Sequence, residues 1–287
     1  MYYTGFADEA GPEIETQIRA TRELGWNNIE LRRCGEANVH DISDEAFDRA
    51  VEKLEAADVH INCFGSAIAN WGKKITEPFD LSLEETRRAI PRMQRLGTKL
   101  VRIMSFAVLE DRGPEDQMEE ERFRRLRELV PMFLDAGIQP VHENCMNYGG
   151  MGYTYTLRMI ENVPGLKLVF DTGNPVFTDD RTKPEPYPKQ SAWEFYTNVK
   201  DHIAYVHIKD GVFNTETGKA DYTWAGDGDG DVKRIVGDLL ANGYDGGISM
   251  EPHLAVVAHD ESVQAAADVR FHNYVEYGRR FMKLVDE

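Results

Sequence analysis

The 287-residue chain is predicted to fold as an α/β protein of a single domain, residues 1–287, closed into a (β/α)8 TIM barrel. Two observations carry this. Eight short apolar runs alternate with eight helical patterns, and no linker or shift in composition interrupts them. Four of the later runs also end alike: Ile138–Asn144 (IQPVHEN), Leu166–Gly173 (LKLVFDTG), His202–Asp210 (HIAYVHIKD) and Gly247–His253 (GISMEPH) each stop on a carboxylate, a histidine or both. Parallel strands buried on both faces read as continuous apolar runs, so the polar residues mark strand ends. In closed parallel barrels the C-terminal strand ends carry the chemistry. An open doubly wound sheet is the alternative, but it would offer a phosphate loop after its first strand, and Asp8-Glu9-Ala10-Gly11 is acidic there.

The elements follow in order. Tyr2–Ala7 reads as the first strand, and Pro12 opens a helix that runs to Leu24 and stops at Gly25. Asn28–Arg32 is the second strand, and Ser43-Asp44-Glu45-Ala46 starts a helix with Phe47, Val51 and Leu54 on one face. Strands Val59–Phe64 and Leu100–Phe106 flank a helix over Leu83–Leu96, stopped by Gly97. A charged helix from Glu115 to Ala136 leads to Gly137 and the strand Ile138–Glu143. In the second half, helices near Tyr155–Asn162 and Ser191–Val199 bracket the strand Leu168–Asp171. Strand Ile203–Ile208 enters a loop of about twenty residues, closed by Gly226-Asp227-Gly228-Asp229-Gly230-Asp231 before a helix to Leu240. Gly247–Glu251 is the eighth strand, and a helix over Glu261–Leu284 ends the pattern.

Composition narrows the function. With 33 basic and 50 acidic residues the net charge is −17, which argues against nucleic acid, whose partners lean on a basic footprint. Cys34, Cys63 and Cys145 are odd in number and lack metal-finger spacing, so a reducing compartment is expected. The N-terminus has no basic segment followed by an apolar one, and no apolar run approaches the ~18 residues of a membrane span. A soluble cytoplasmic protein that stays off membranes is expected. The long final helix and aromatic-bearing loops offer surfaces for a homo-oligomer.

Glu143, Asp171, His207 and Glu251 form one candidate constellation at the ends of strands five to eight. Any one of them alone is more often an ion-pair partner or a hydrogen-bonded core residue. Three grouped anions would raise one another's pKa, and a divalent ion removes that cost. The oxygen and nitrogen donors suit Mn²⁺, Mg²⁺, Co²⁺ or Zn²⁺ and lack the thiolates of structural zinc.

His142-Glu143-Asn144, Phe170-Asp171-Thr172-Gly173-Asn174, Val206-His207-Ile208-Lys209-Asp210, the Gly226–Asp231 loop and Ser249-Met250-Glu251-Pro252 resemble the motifs of the xylose-isomerase-like barrels. Gly5–Glu9 and Asn28–Arg32 extend the resemblance over nearly the whole chain. That superfamily includes sugar epimerases, hydroxypyruvate isomerases, inosose dehydratases and apurinic-site endonucleases. The resemblance implies that Glu143, Asp171, His207 and Glu251 hold one divalent metal, Mn²⁺ first, and that Glu143 and Glu251 also exchange the substrate proton. The chemistry agrees: a metal polarises a carbonyl and stabilises the enediolate, while two carboxylates take and return the α-proton. The expected function is isomerisation or epimerisation of an unphosphorylated ketose or keto-polyol. A dehydratase or lyase on an oxidised sugar, such as an inosose or 3-keto-glycoside, is the alternative, and a non-catalytic sugar-binding barrel a third reading.

Asn174 stands where many members have a histidine, so it would orient substrate without titrating. It also occupies a position the three-metal endonucleases need, and with the charge this places an apurinic-site endonuclease last. His253, two residues past Glu251, and Lys209 are candidate substrate contacts, although for Lys209 and Asp210 an ion pair steadying the strand end is the plainer role. His142 is expected behind the site, on the other face of its strand. Arg32 shares a face with Glu30, which reads as a buried pair. Trp71 and Trp224, with Phe106 and Tyr153, are placed on loops over the same end, where flat faces suit a sugar. The aspartates of Gly226–Asp231 repel phosphate, so the loop is read as a turn into a helix N-terminus.

Overall fold

The computed structural model describes residues 1–257 and 260–286, and of 260–264 the backbone alone. Eight strands form one sheet: β1 (Tyr2–Gly5), β2 (Asn28–Leu31), β3 (His60–Gly65), β4 (Leu100–Ile103), β5 (Gln139–Glu143), β6 (Lys167–Asp171), β7 (Ile203–Ile208) and β8 (Gly247–Met250). Their spatial order is β1-β8-β7-β6-β5-β4-β3-β2, all neighbours parallel, and β1 and β2 lie side by side, so the barrel is nearly closed. Helices α1 (Ile14–Glu23), α2 (Asp44–Ala56), α3 (Asp80–Leu96), α4 (Glu119–Asp135), α5 (Tyr153–Asn162), α6 (Ala192–Val199), α7 (Val232–Ala241) and α8 (Ala267–Asp286) connect or follow the strands.

Local chemistry starts α2 and α6 and stops α3 where the sequence suggested, while α3 begins at Asp80, ahead of the expected Leu83, and α4 at Glu119, after the expected Glu115. Ser43 and Ser191 cap α2 and α6 by accepting the amide protons of Ala46 and Glu194, satisfying donors that would otherwise lack a partner. Gly97 closes α3 in the left-handed conformation, φ +70°.

Two layers inside the barrel follow from the period of two along a strand. Cys63, Val141, Val169 and Tyr205 pack together as a fully buried interior plug. The next inward positions up β5, β6 and β7 are Glu143, Asp171 and His207, so the apolar layer becomes a polar one within a single step. Register keeps that layer level: Asp171 is paired with His207, and His207 with Ser249, two residues before Glu251. The larger hydrophobic core fills the shell between strands and helices, with Phe47, Leu126, Phe133, Ile235 and Phe281 from the helical side.

Some elements differ from expectation. A hairpin of Gly211–Asn214 with Lys219–Tyr222 rises in the long loop after β7, and Arg33–Cys34 pairs with Ala37–Asn38 after β2. Asn174–Phe177 forms one helical turn. The last helix begins at Ala267, not Glu261: Asp260–Gln264 is a strand paired antiparallel with Val256–Val257, and the Ala265 amide donates to the Ala255 carbonyl at 2.9 Å. Ladder bonds to a neighbouring segment override helical propensity there.

Candidate metal centre

Glu143, Asp171, His207 and Glu251 converge at the barrel mouth. Each offers one ligand atom, these atoms all lie within 4.8 Å of one another, and all four side chains are buried. Strand ends fix their directions. The Asn144 amide clasps the backbone of Asp171, donating to its carbonyl at 3.0 Å and accepting its N–H at 2.7 Å. Asp171 Oδ1 then accepts the backbone N–H groups of Gly173 and Asn174, at 2.9 and 2.7 Å, which turns Oδ2 toward the cluster.

The second ring of contacts is dense. Glu143 Oε2 accepts from Arg102 at 3.0 Å and Oε1 from the Asn174 amide at 3.2 Å. Glu251 Oε1 accepts from Arg32 at 2.6 Å and Oε2 from Lys209 at 2.9 Å. Both guanidinium groups lie over the ring of Phe6, 4.4 and 5.0 Å from its centroid. The ring occupies space that Gly65 leaves open, since a Cβ there would sit 2.4 Å from Phe6 Cε1. His207 Nε2 meets Glu30 Oε2 at 2.9 Å, and Nδ1 faces Glu143 Oε1 at 3.6 Å.

These contacts set the charges. Burial pushes the Glu143 carboxyl up, but Arg102 and His207 outweigh it and hold it at about 2. Glu251 likewise stays well below the usual carboxylate range, because Lys209, His253 and Arg32 overcome burial. Asp171 is raised, by burial first and by its two carboxylate neighbours, with Lys209 opposing. For His207 burial favours the neutral ring, yet Glu30 and Glu143 pull the imidazole up to about 10. The ionised carboxylates of the pocket are thus matched by cations packed against them.

Two buried atoms identify what charge it suits. Among the described residues Asp171 Oδ2 and His207 Nδ1 find no hydrogen-bond partner, and both residues belong to the four-residue cluster. Lys209 Nζ is 3.1 Å from Asp171 Oδ2, inside ion-pair distance but off hydrogen-bond alignment. An unpaired buried carboxylate oxygen is costly, and a divalent cation that displaces the proton from His207 takes a lone pair from each of these atoms and removes the cost. Three carboxylate oxygens and one imidazole nitrogen, with Glu30 holding the far imidazole nitrogen, are a donor set that fits a divalent metal.

Other residues settle as follows. His253 has φ +55°, a strained conformation for a side-chain-bearing residue. Glu9 holds it there, accepting the backbone N–H at 2.8 Å and meeting Nδ1 at 2.9 Å, which brings Nε2 to 3.7 Å from Glu251. Lys209 points into the cluster and pairs with Asp171 and Glu251, not with its neighbour Asp210. Asp210 points the other way and accepts the amide protons of Gly211, Gly226, Gly228 and Gly230, at 2.8 to 3.1 Å. The glycine–aspartate loop is therefore an anion cradle whose anion is the protein's own carboxylate. Arg32 does not pair with Glu30: it reaches Asp8, Glu9 and Glu251, while Glu30 serves His207.

Trp71 lines the cavity over the cluster and is 38% exposed. Trp224 is a correction. The hairpin after β7 carries the chain outward, and Trp224 packs on Tyr277 and under Arg280 instead of lining that cavity. Phe106 and Tyr153 are also taken up in packing, against Phe79 and Phe195. His142 is buried behind the strand against Ser105 and Asn147. Arg102 escaped the sequence reading, Glu30 entered it only as a partner for Arg32, and Phe6 and Glu9 only as part of the resemblance, with no role at the site. For Glu30 and Arg102 the available signal was a charge inside an otherwise apolar strand.

With this geometry in hand, comparison with known proteins is informative. A family model described as xylose isomerase-like TIM barrel matches residues 18–272. The chain belongs to that family. Among solved structures, a xylose isomerase-like TIM barrel protein from Mycobacterium smegmatis in complex with magnesium superposes with a TM-score of 0.69 at 17% identity, over 99% of this chain and 97% of that one. D-allulose 3-epimerase from Methylomonas sp. in complex with D-allulose gives 0.64 at 15% identity, over 98% and 96%. A protein from Bacillus anthracis described as the probable 3-DHS dehydratase of petrobactin synthesis gives 0.66 at 14%, over 96% and 97%. At such identities the likeness establishes the fold. None of the curated protein sequences matches this chain. Among the described residues no helix is long and apolar enough to cross a membrane.

Proposed function

We propose that the barrel mouth is the active site of a divalent-metal-dependent isomerase or epimerase that moves a proton on the carbon beside a carbonyl of an unphosphorylated ketose or keto-polyol. The observation that carries this reading is the pairing of Glu143 and Glu251 across the cluster. Each is buried, each is clamped by its own arginine, and each is held ionised at neutral pH. Glu143, Asp171, His207 and Glu251 would hold the metal, with Mn²⁺ expected first and Mg²⁺, Co²⁺ or Zn²⁺ compatible with the same donors. The metal would supply polarisation of the carbonyl and neutralise charge that develops on its oxygen.

The chain's own residues supply the rest. One glutamate, as the carboxylate, accepts the α-proton. For epimerisation the other first takes up a proton from solvent and then delivers it to the opposite face, leaving the first to release its proton to solvent. Return by the first glutamate to the neighbouring carbon gives isomerisation instead. Arg102 and Arg32 hold the carboxylate that acts as base in its anionic form. Asn174 orients a substrate hydroxyl, its amide already 3.2 Å from Glu143. Lys209, His253 and Trp71 are substrate contacts on this reading, and all three line the cavity. Preference for an unphosphorylated substrate is supported by the glycine loop, whose amide protons are engaged by Asp210.

Elimination from an oxidised sugar is the second reading, and Lys209 favours it. Its ammonium, 2.9 Å from Glu251, can hydrogen-bond a departing β-oxygen on the side where Glu251 would remove the proton. Product analysis in deuterated water separates the two. Deuterium at the α-carbon in a product of unchanged formula supports isomerisation or epimerisation, and loss of water or an alcohol supports elimination. Neither outcome over a broad panel of keto-sugars, with Mn²⁺ present, would sink the proton-transfer reading.

A further inference from the structure

The cavity above the cluster, about 230 Å³, adjoins a second recess of about 380 Å³. Trp71, Cys145 and Met146 line both, so the two form one cleft. The walls change character at that boundary. The first cavity is lined by Glu143, Glu251, Arg32, Arg102 and Lys209, and the second by Val108, Met151 and Phe177 together with the shared Trp71 and Met146. Asn147 and Thr178 also line the second, with their polar groups bonded to backbone carbonyls. The charged side chains at the second recess pair with one another. Arg181 is bonded to Glu110, and Lys189 to Asp179 at 2.7 Å. Trp71 and Met146, which line both recesses, are 38% and 44% exposed.

We infer that the second recess is a subsite for a flat aromatic group attached to the sugar, so that the substrate is an aryl-substituted keto-sugar and not a free ketose. This deepens the proposed function and rests on reading the first cavity as the sugar site. The lining decides the occupant. A second sugar would need unengaged polar groups to replace the water around its hydroxyls, whereas the charged rim groups here satisfy each other. An aromatic ring needs apolar walls, and thioethers and aromatic edges are favourable neighbours for it. Volume agrees: the sugar cavity alone falls below the ~300–1,000 Å³ of drug-sized ligand sites, and the joined cleft falls within it.

The test compares binding of phenyl β-glucoside, methyl β-glucoside and cellobiose to the full chain with excess Mn²⁺, by calorimetry. Burying a phenyl ring predicts affinity about tenfold or more above that of the methyl glycoside. Phe177→Ser and Val108→Asp, at positions that line the second recess and not the first, should each erase most of that difference while leaving methyl glucoside binding unchanged. Equal affinities for phenyl and methyl glycosides, a preference for cellobiose, or no binding of the phenyl glycoside would overturn the inference. Binding requires no turnover, so the outcomes separate. Retained phenyl preference with no α-proton exchange in any keto-sugar keeps the subsite and discards the proton-transfer reading. Exchange of unsubstituted keto-sugars without phenyl preference does the reverse.

Discussion

Three side chains at the barrel mouth have separable roles. Glu143 and Glu251 are proposed to move protons as well as bind metal. Glu→Gln at either position keeps an oxygen donor but removes the base, and should lower turnover by about 10²–10⁴-fold. Exchange of the substrate α-proton at saturating Mn²⁺ is the readout, and normal exchange in both variants would mean another group carries the proton. Lys209 should act in the opposite sense on metal. Its ammonium contacts two of the carboxylates in the cluster, so Lys209→Met removes a competing positive charge. Mn²⁺ should bind at least about tenfold tighter to the variant, since like charges a few ångströms apart in a buried site repel by a few kcal/mol. Calorimetric titration that finds weaker binding would mean Lys209 organises the ligands instead of competing with the ion.

His142 belongs to the same scale but acts on stability. Burial holds its imidazole neutral, down to about 4 from 6.5. Between those values the unfolded chain takes up a proton that the folded chain refuses, so stability rises with pH across that window and is lost as pH falls from about 6.5 towards 4. The contribution is of order 1 kcal/mol per pH unit. His40 is shifted the same way, also chiefly by burial. Denaturant melts at pH 7 and pH 5 should show a shallower pH dependence for His142→Gln than for the unaltered chain. Identical slopes would remove His142 from the account.

At the scale of elements, the loop before α7 is organised by Asp210. A Cβ on Gly228 would lie 2.4 Å from Asp210 Oδ1 and 2.5 Å from the Gly211 amide nitrogen, so the turn admits no larger residue without opening. Gly228→Ala should destabilise by about 1–3 kcal/mol, the range for overpacking a tight site. Gly237 is the matched control, because it lies inside α7 and a Cβ there meets nothing within 4 Å. Gly237→Ala should stabilise by up to about 1 kcal/mol. Equal melting shifts of one sign in the two variants would contradict this assignment. The loop is anchored on Asp210, two residues past the end of β7, which carries His207, so Gly228→Ala should also weaken Mn²⁺ binding.

For the whole molecule, folding and metal binding are one equilibrium. The cluster draws ligands from three strands and from the residue after a fourth, which are far apart in an unfolded chain. A metal that binds only the closed barrel stabilises it by about 2.7 kcal/mol at a hundredfold excess over Kd. Thermal melts should rise by several degrees with Mn²⁺, and elemental analysis should find close to one divalent ion per chain. His207→Ala should remove most of the rise. A melting temperature unchanged by Mn²⁺, Mg²⁺, Co²⁺ and Zn²⁺ alike would dismiss the metal centre.

Sequence by itself determined the barrel, the order of its elements and the four strand-end residues, because strand periodicity and the switch from apolar to polar are local properties. It also contained the cue for Lys209, two residues past His207 and so on the same face. Tertiary structure alone decided where charges found partners. Arg32 lies two residues from Glu30 but joins Glu251, 219 positions away, because closure of the barrel puts the ends of β2 and β8 on the same rim. Arg102 reaches Glu143 because β4 and β5 pair side by side in parallel, with Arg102 opposite Val141. Trp224 lay in a loop whose path depends on the Gly211–Tyr222 hairpin, and nothing in its immediate neighbours showed that it would turn towards α8. The glycine–aspartate loop read as acidic and unable to hold an anion; folding turned its amide protons onto Asp210. Local pattern sets which face a side chain takes, while a long-range partner is set by closure of the sheet and the paths of the loops.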